Sequence, residues 1–233
     1  MSRCFATAIN RMHRRSGGGN VGDMTTPPRL IPLLEQFDLA CDRLVRRIAG
    51  PEFDSGDDLV RTIVPMSDDE YRWEPVPGCL NIRRRADGPG PGFKRLVGAG
   101  DWARDSLWGL DPLPDPLPMG TIAWRLNHIA EMLARRADYT IGGHSLTPHA
   151  YVIPGSAAAG VDAFRTASAT WRAALTSADD GALDQVGRSQ YPDGSDPEQP
   201  FLQLVWWVNQ EVLHHGAEIM LLRDLYRAGL RAS

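Results

Sequence analysis

Apolar residues recur along this chain at helical spacing. From residue 28 to residue 49, Leu30, Leu33, Leu34, Phe37, Cys41, Leu44 and Ile48 follow the i, i+3, i+4, i+7 rule, which gives a helix one apolar face. A second helical pattern covers 121–141 and stops at Gly142-Gly143. A third begins after Pro154-Gly155-Ser156 and carries Val161, Phe164, Trp171 and Leu175. The fourth covers 201–227, with Asp196-Pro197 as a start signal and Gly229 as a stop. No segment shows sustained strict alternation of apolar and polar residues, so strands are not expected in the framework.

Between the first two helices the pattern breaks down. Residues 57–64 allow a helical turn or two, and Ser67-Asp68-Asp69-Glu70 reads as a short acidic helix start. From 75 to 120 glycine and proline dominate; a structureless stretch of that length is either a functional cover or disordered. Trp102 and Trp108 favour a loop packed onto something. A second, shorter polar loop covers 185–199. The expected fold is all-α: a single four-helix bundle over 28–229, with a long loop between helices one and two. Residues 1–27 read as a disordered extension or a misassigned start ahead of Met24, basic and Gly/Ser-rich without a secretory apolar core.

Composition narrows the function classes. The 233 residues suffice for one large core, and 42% hydrophobic with 23% charged residues is the balance of a globular protein in water. A net charge of −4 gives no electrostatic case for nucleic acid or an anionic membrane surface, and no apolar run reaches membrane-spanning length. Cys4, Cys41 and Cys79 are odd in number and scattered, against both a disulfide framework and a zinc ribbon, so a cytoplasmic location is expected.

The fourth helix carries the candidate chemistry. At about 100° per residue, Leu204, Val208, Ile219, Leu222 and Tyr226 share one stripe, and Glu211, His215 and Glu218 fall in its middle. An unpaired charge there would be costly, and a bound cation is the simplest neutraliser. Glu211 and His215, four apart, stack on one face, the spacing by which a helix offers two ligands to one metal. His214 and Glu218 form a second such pair nearer the edge, and periodicity prefers the first. The alternative is a buried hydrogen-bonded cluster without metal.

A catalytic site of this kind needs a third protein ligand. Helix two offers His128, opposite its main stripe of Ile122, Leu126, Ile129 and Leu133 and beside Trp124 and Met132. By spacing alone such a histidine is more often a surface or satisfied core residue than a ligand. His144 and His149 flank a loop without a pattern, and His13 lies in the N-terminal extension. Trp206-Trp207 is assigned to core packing or a dimer interface, and Arg223, Asp224 and Arg227 to a solvated polar face.

Three segments carry a family resemblance: Glu70-Tyr-Arg-Trp-Glu-Pro-Val-Pro-Gly-Cys-Leu-Asn-Ile-Arg83, Thr121-Ile-Ala-Trp-Arg-Leu-Asn-His128-Ile-Ala-Glu131, and Glu211-Val-Leu-His-His215-Gly-Ala-Glu218-Ile with Leu222-Arg-Asp-Leu-Tyr226. In that order they resemble the DinB-like (YfiT-like) superfamily. The nearer resemblance is to its actinobacterial branch related to the metal-binding domain of mycothiol-dependent maleylpyruvate isomerase. The resemblance implies a metal site with one histidine from helix two, matching His128, and an i, i+4 pair on the last helix, matching Glu211 and His215. Glu211 departs from the histidine common at its position, but two histidines and a carboxylate can bind zinc, nickel, manganese or iron.

The implied function is a metal-dependent, thiol-dependent S-transferase or isomerase acting on a small electrophile, with mycothiol as the thiol. Zinc is the first-choice metal, and His214 or Glu218 would orient a ligand or carry a proton. A homodimer is a further expectation of the resemblance. The competing readings are a non-catalytic, stress-related scaffold with a structural metal, and a metal-assisted hydrolase.

Overall fold

A computed structural model describes residues 26–50, 64–192 and 198–230. In chain order its elements are α1 (Ile31–Ala49), α2 (Asp68–Arg72), strands β1 (Ile82–Arg84), β2 (Arg95–Val97) and β3 (Trp102–Ser106), then α3 (Ile122–Ile141), α4 (Ala157–Thr176) and α5 (Phe201–Arg227). The chain is mostly helical, and its four long helices fall where the periodicity puts them. Their ends follow local chemistry. Thr121 and Ser156 cap α3 and α4 by accepting from Trp124 N and Ala159 N. At the other end of α5, Gly229 adopts φ 81°, and the amides of Gly229 and Leu230 turn back to the carbonyls of Tyr226 and Leu225.

The four long helices share one core. Phe37 and Leu44 of α1, Leu126 and Leu133 of α3, Phe164 and Trp171 of α4, and Phe201 and Val208 of α5 all belong to it. Helix α3 packs on both α4 and α5, as does α1. Ser67 caps α2 through Glu70 N, so the predicted acidic helix start is real but only five residues long. Tyr71 of α2 enters the core and meets α4 at Gly160, where an added Cβ would lie 2.5 Å from the tyrosine oxygen. Only glycine fits there, and Asn127 of α3 donates to the same oxygen at 2.7 Å.

The structure overturns three expectations. First, the 75–120 stretch is not strandless: β1, β3 and β2 form an antiparallel sheet in that order. Strands of three to five residues are too short for alternation to show. Tertiary bonds hold the sheet instead. The buried Asp105 carboxylate accepts from Asn81 N (3.1 Å), Arg83 Nε (3.0 Å) and Gly90 N (2.8 Å), while its backbone oxygen accepts from the Trp124 indole (2.9 Å). That last bond ties the sheet to the first turn of α3.

Second, Arg223 is not solvated; only 1% of its side chain is exposed, and its Nε lies 3.1 Å from the equally buried Glu70. Arg227 stands 3.6 Å from the same carboxylate, so α2 is clamped onto α5 by charge. Third, of the two roles expected for Trp206 and Trp207, core packing is the one overturned, since they are 51% and 37% exposed. Trp102 does pack as expected: it is flanked by Arg72 and Arg84 and lies against Gly155. Cys41 and Cys79 are free thiols. The N-terminal extension to residue 25, the turn expected over 57–63, and the Asp196-Pro197 signal lie outside the described residues.

Candidate metal centre

Helices α3 and α5 bring three predicted ligands together. His128, Glu211 and His215 each present one ligand atom, and all three atoms lie within 4.8 Å of one another. Glu211 Oε2 is 3.5 Å from Nε2 of His128 and 3.5 Å from Nε2 of His215. The two imidazoles meet edge to face, with centroids 5.0 Å apart. The i, i+4 spacing aligns Glu211 with His215, and His128 is delivered across the helix interface because α3 is buried on two sides.

The carboxylate and histidine on α5 do not sit mid-core. Val205, Val208, Val212 and Ile219 take that place, and the ligand stripe runs along its flank, half-buried. This corrects the sequence expectation: the apolar arc of α5 is wider than the stripe first drawn, and its centre is rotated away from Glu211.

Glu218 and Arg125 set the state of His215. Glu218 Oε2 is 2.7 Å from His215 Nδ1, and Arg125 also pairs with that carboxylate. Arg125 Nη1 also lies 3.1 Å from Nδ1, but the closer neighbour is the carboxylate, which only accepts. Two acceptors would not approach to 2.7 Å, so we assign the proton to Nδ1, donating to Glu218. The Nε2 lone pair is thereby left facing Glu211 and His128. Two acceptors aimed at each other, the His215 nitrogen and the Glu211 oxygen, is the arrangement a cation between them would resolve. A histidine whose second nitrogen is held by a carboxylate is also how metal-binding imidazoles are oriented. The residues present therefore fit a divalent metal.

Without a cation the same conflict is relieved by protons on the facing nitrogens: hydrogen bonds from the imidazoles of His128 and then His215 hold the Glu211 carboxyl down at about 2. Burial pushes the His128 imidazole below its ordinary value, which favours its neutral form. Trp124 stacks on His128, centroids 5.2 Å apart and planes 11° off parallel, which fixes the ring's orientation.

Of the remaining candidates, His214 is exposed and lies outside the cluster, whereas Glu218 is in direct contact with His215. His144 stacks on Tyr139, and His149 lies near Trp108, both away from the triad. The sequence reading missed Arg125 and Arg104. Arg125 sits one helical turn before His128, a spacing that could have flagged it. Arg104 is on a strand that the pattern did not reveal.

His128 also forms part of the wall of a cavity of about 320 Å³, bounded by Trp108, Trp124, Arg104, Glu131 and Trp207. A helical protein with a two-histidine, one-carboxylate cluster, one histidine of which lines a cavity, is thus the class that the fold and site define. The chain belongs to the DinB superfamily, whose family model matches residues 53–219. Comparisons with curated proteins and with solved structures give no match.

Proposed function

We propose that this protein is a metal-dependent enzyme of the DinB superfamily, a thiol-dependent S-transferase or isomerase in which His128, Glu211 and His215 hold one divalent ion. The observation that carries the reading is the convergence of these three donor atoms beside a cavity that His128 helps to line. A structural site would enclose its ion with four protein ligands; among the described residues the cluster offers three.

A bound divalent ion would supply Lewis-acid activation, lowering the pKa of a thiol so that thiolate forms at neutral pH. The chain's own groups do the rest. Glu218 holds the Nδ1 proton of His215 and keeps its Nε2 available as a ligand atom. Trp124 orients His128. The tryptophans of the cavity wall offer flat apolar surfaces to a small electrophile. Zinc is the first-choice metal and mycothiol the proposed thiol, both resting on the resemblance of the three sequence segments. The packing of α1, α3, α4 and α5 supports a four-helix bundle, and exposed Trp206, Leu213 and Leu221 on α5 support its pairing into a homodimer.

Elemental analysis of untagged protein purified without chelator tests the reading. About one transition metal per chain, lost in His215→Ala, is the expected result. No metal in the wild type, and none taken up on reconstitution, would leave a polar cluster and remove the case for the enzyme.

A further inference from the structure

The wall of the cavity combines Trp108, Trp124 and Trp207 with charged groups, among them Asp105, Glu131, Arg135, Arg136 and Arg104. Arg104 reaches it from β3 with only 9% of its surface exposed. Its Nη2 donates to Glu131 at 2.5 Å, and its guanidinium lies 5.3 Å from the centre of the Trp124 ring. That ring is the one stacked on His128. Nη1 of Arg104, by contrast, is buried with no hydrogen-bond partner. Leaving a charged donor unsatisfied in the interior is more costly than leaving a neutral one. Glu131 does not remove the need, since it also faces Arg135 at 3.8 Å. The complement of a buried guanidinium edge is a planar pair of anionic oxygens.

We propose that this cavity binds a substrate bearing a carboxylate, which the Arg104 guanidinium holds by a small turn that brings its buried, unpartnered Nη1 to the cavity, while Trp108, Trp124 and Trp207 cover the rest of the molecule. The inference deepens the proposed function by naming the charge of the compound that reaches His128. Arg104 is then the specificity-determining residue: it selects acids over their neutral isosteres. Glu131 is its competitor, holding the guanidinium in place while the cavity is empty.

The test is isothermal titration of metal-stripped protein with acetate, benzoate and succinate, each beside its amide. At least one acid should bind about tenfold or more tightly than its amide, as a charge-assisted hydrogen bond requires. Arg104→Lys, which keeps the charge and loses the second amino group, should lose about tenfold in that affinity with an unchanged circular dichroism spectrum. Glu131→Gln should tighten acid binding several-fold by removing the competing carboxylate. Equal affinity for acid and amide, no binding by any pair, or an unaffected Arg104→Lys would overturn the proposal. Should Arg104→Lys not fold, the Glu131→Gln titration decides, and unchanged or weaker acid binding there overturns it. Repeating the titration with zinc separates the two ideas. A chain that takes up no metal but still prefers acids refutes only the metal reading, whereas a metal-loaded chain without that preference in its stripped form refutes only this one.

Discussion

At the scale of single residues, the site is decided by protons more than by ligand identity. Glu218 lies outside the donor triad, yet its bond to Nδ1 selects the His215 tautomer that can bind a metal. Glu218→Gln should therefore weaken metal affinity by about 10- to 100-fold while leaving the fold intact; competition with a chelating dye would measure it, and an unchanged affinity would remove Glu218 from the site. Acid should act on the metal-free protein through the same residues. Burial depresses His128 below its ordinary 6.5, and the two imidazoles depress Glu211 from 4.5 to about 2. In both cases the unfolded chain binds the proton first, so stability falls as pH drops. The melting temperature of chelator-treated protein should decline from pH 6.5 downward and decline further below 4.5, where Glu211 adds its share. A flat profile between pH 7 and pH 4 would contradict the burial of His128.

At the scale of elements, α2 shows how a five-residue helix positions much longer ones. Tyr71 fills the space over Gly160 of α4 and accepts from Asn127 of α3, joining three elements through one side chain. Alanine in place of an interior helix glycine ordinarily adds about 1 kcal/mol of stability. Here the new Cβ would stand 2.5 Å from the tyrosine oxygen and 3.0 Å from Cζ. Gly160→Ala should instead destabilise by about 1–3 kcal/mol, the range for overpacking, and adding Tyr71→Phe should recover part of it. Chemical denaturation of the single and double variants would check this, and a stabilised Gly160→Ala would mean α2 does not pack as described. The sheet matters at the same scale, because the Asp105 oxygen that receives the Trp124 indole sets where α3 begins, one turn before His128.

At the scale of the whole molecule, the buried Glu70–Arg223 pair closes the fold by joining a segment before the sheet to the last helix. Arg223→Met would leave Glu70 buried, with Arg227 at 3.6 Å as its remaining ion-pair partner. A loss of about 3 kcal/mol is expected, with much of it restored by adding Glu70→Gln; thermal melts of the two variants measure both. An effect within the range of a surface substitution would show that the pair is solvated after all.

The division between chain and fold follows from the range of each interaction. The sequence by itself determined the four long helices, because i, i+3, i+4 spacing and end signals such as Ser156 and Gly229 act within a few residues. It also determined the pairing of Glu211 with His215, since helix geometry alone aligns residues four apart. Only the tertiary structure decided that His128 reaches them, because its own helix gives no sign of which of two buried faces meets α5. The sheet, the burial of Arg223 and the Arg104 side of the cavity were likewise set by contacts between distant segments, and local periodicity leaves no trace of such contacts.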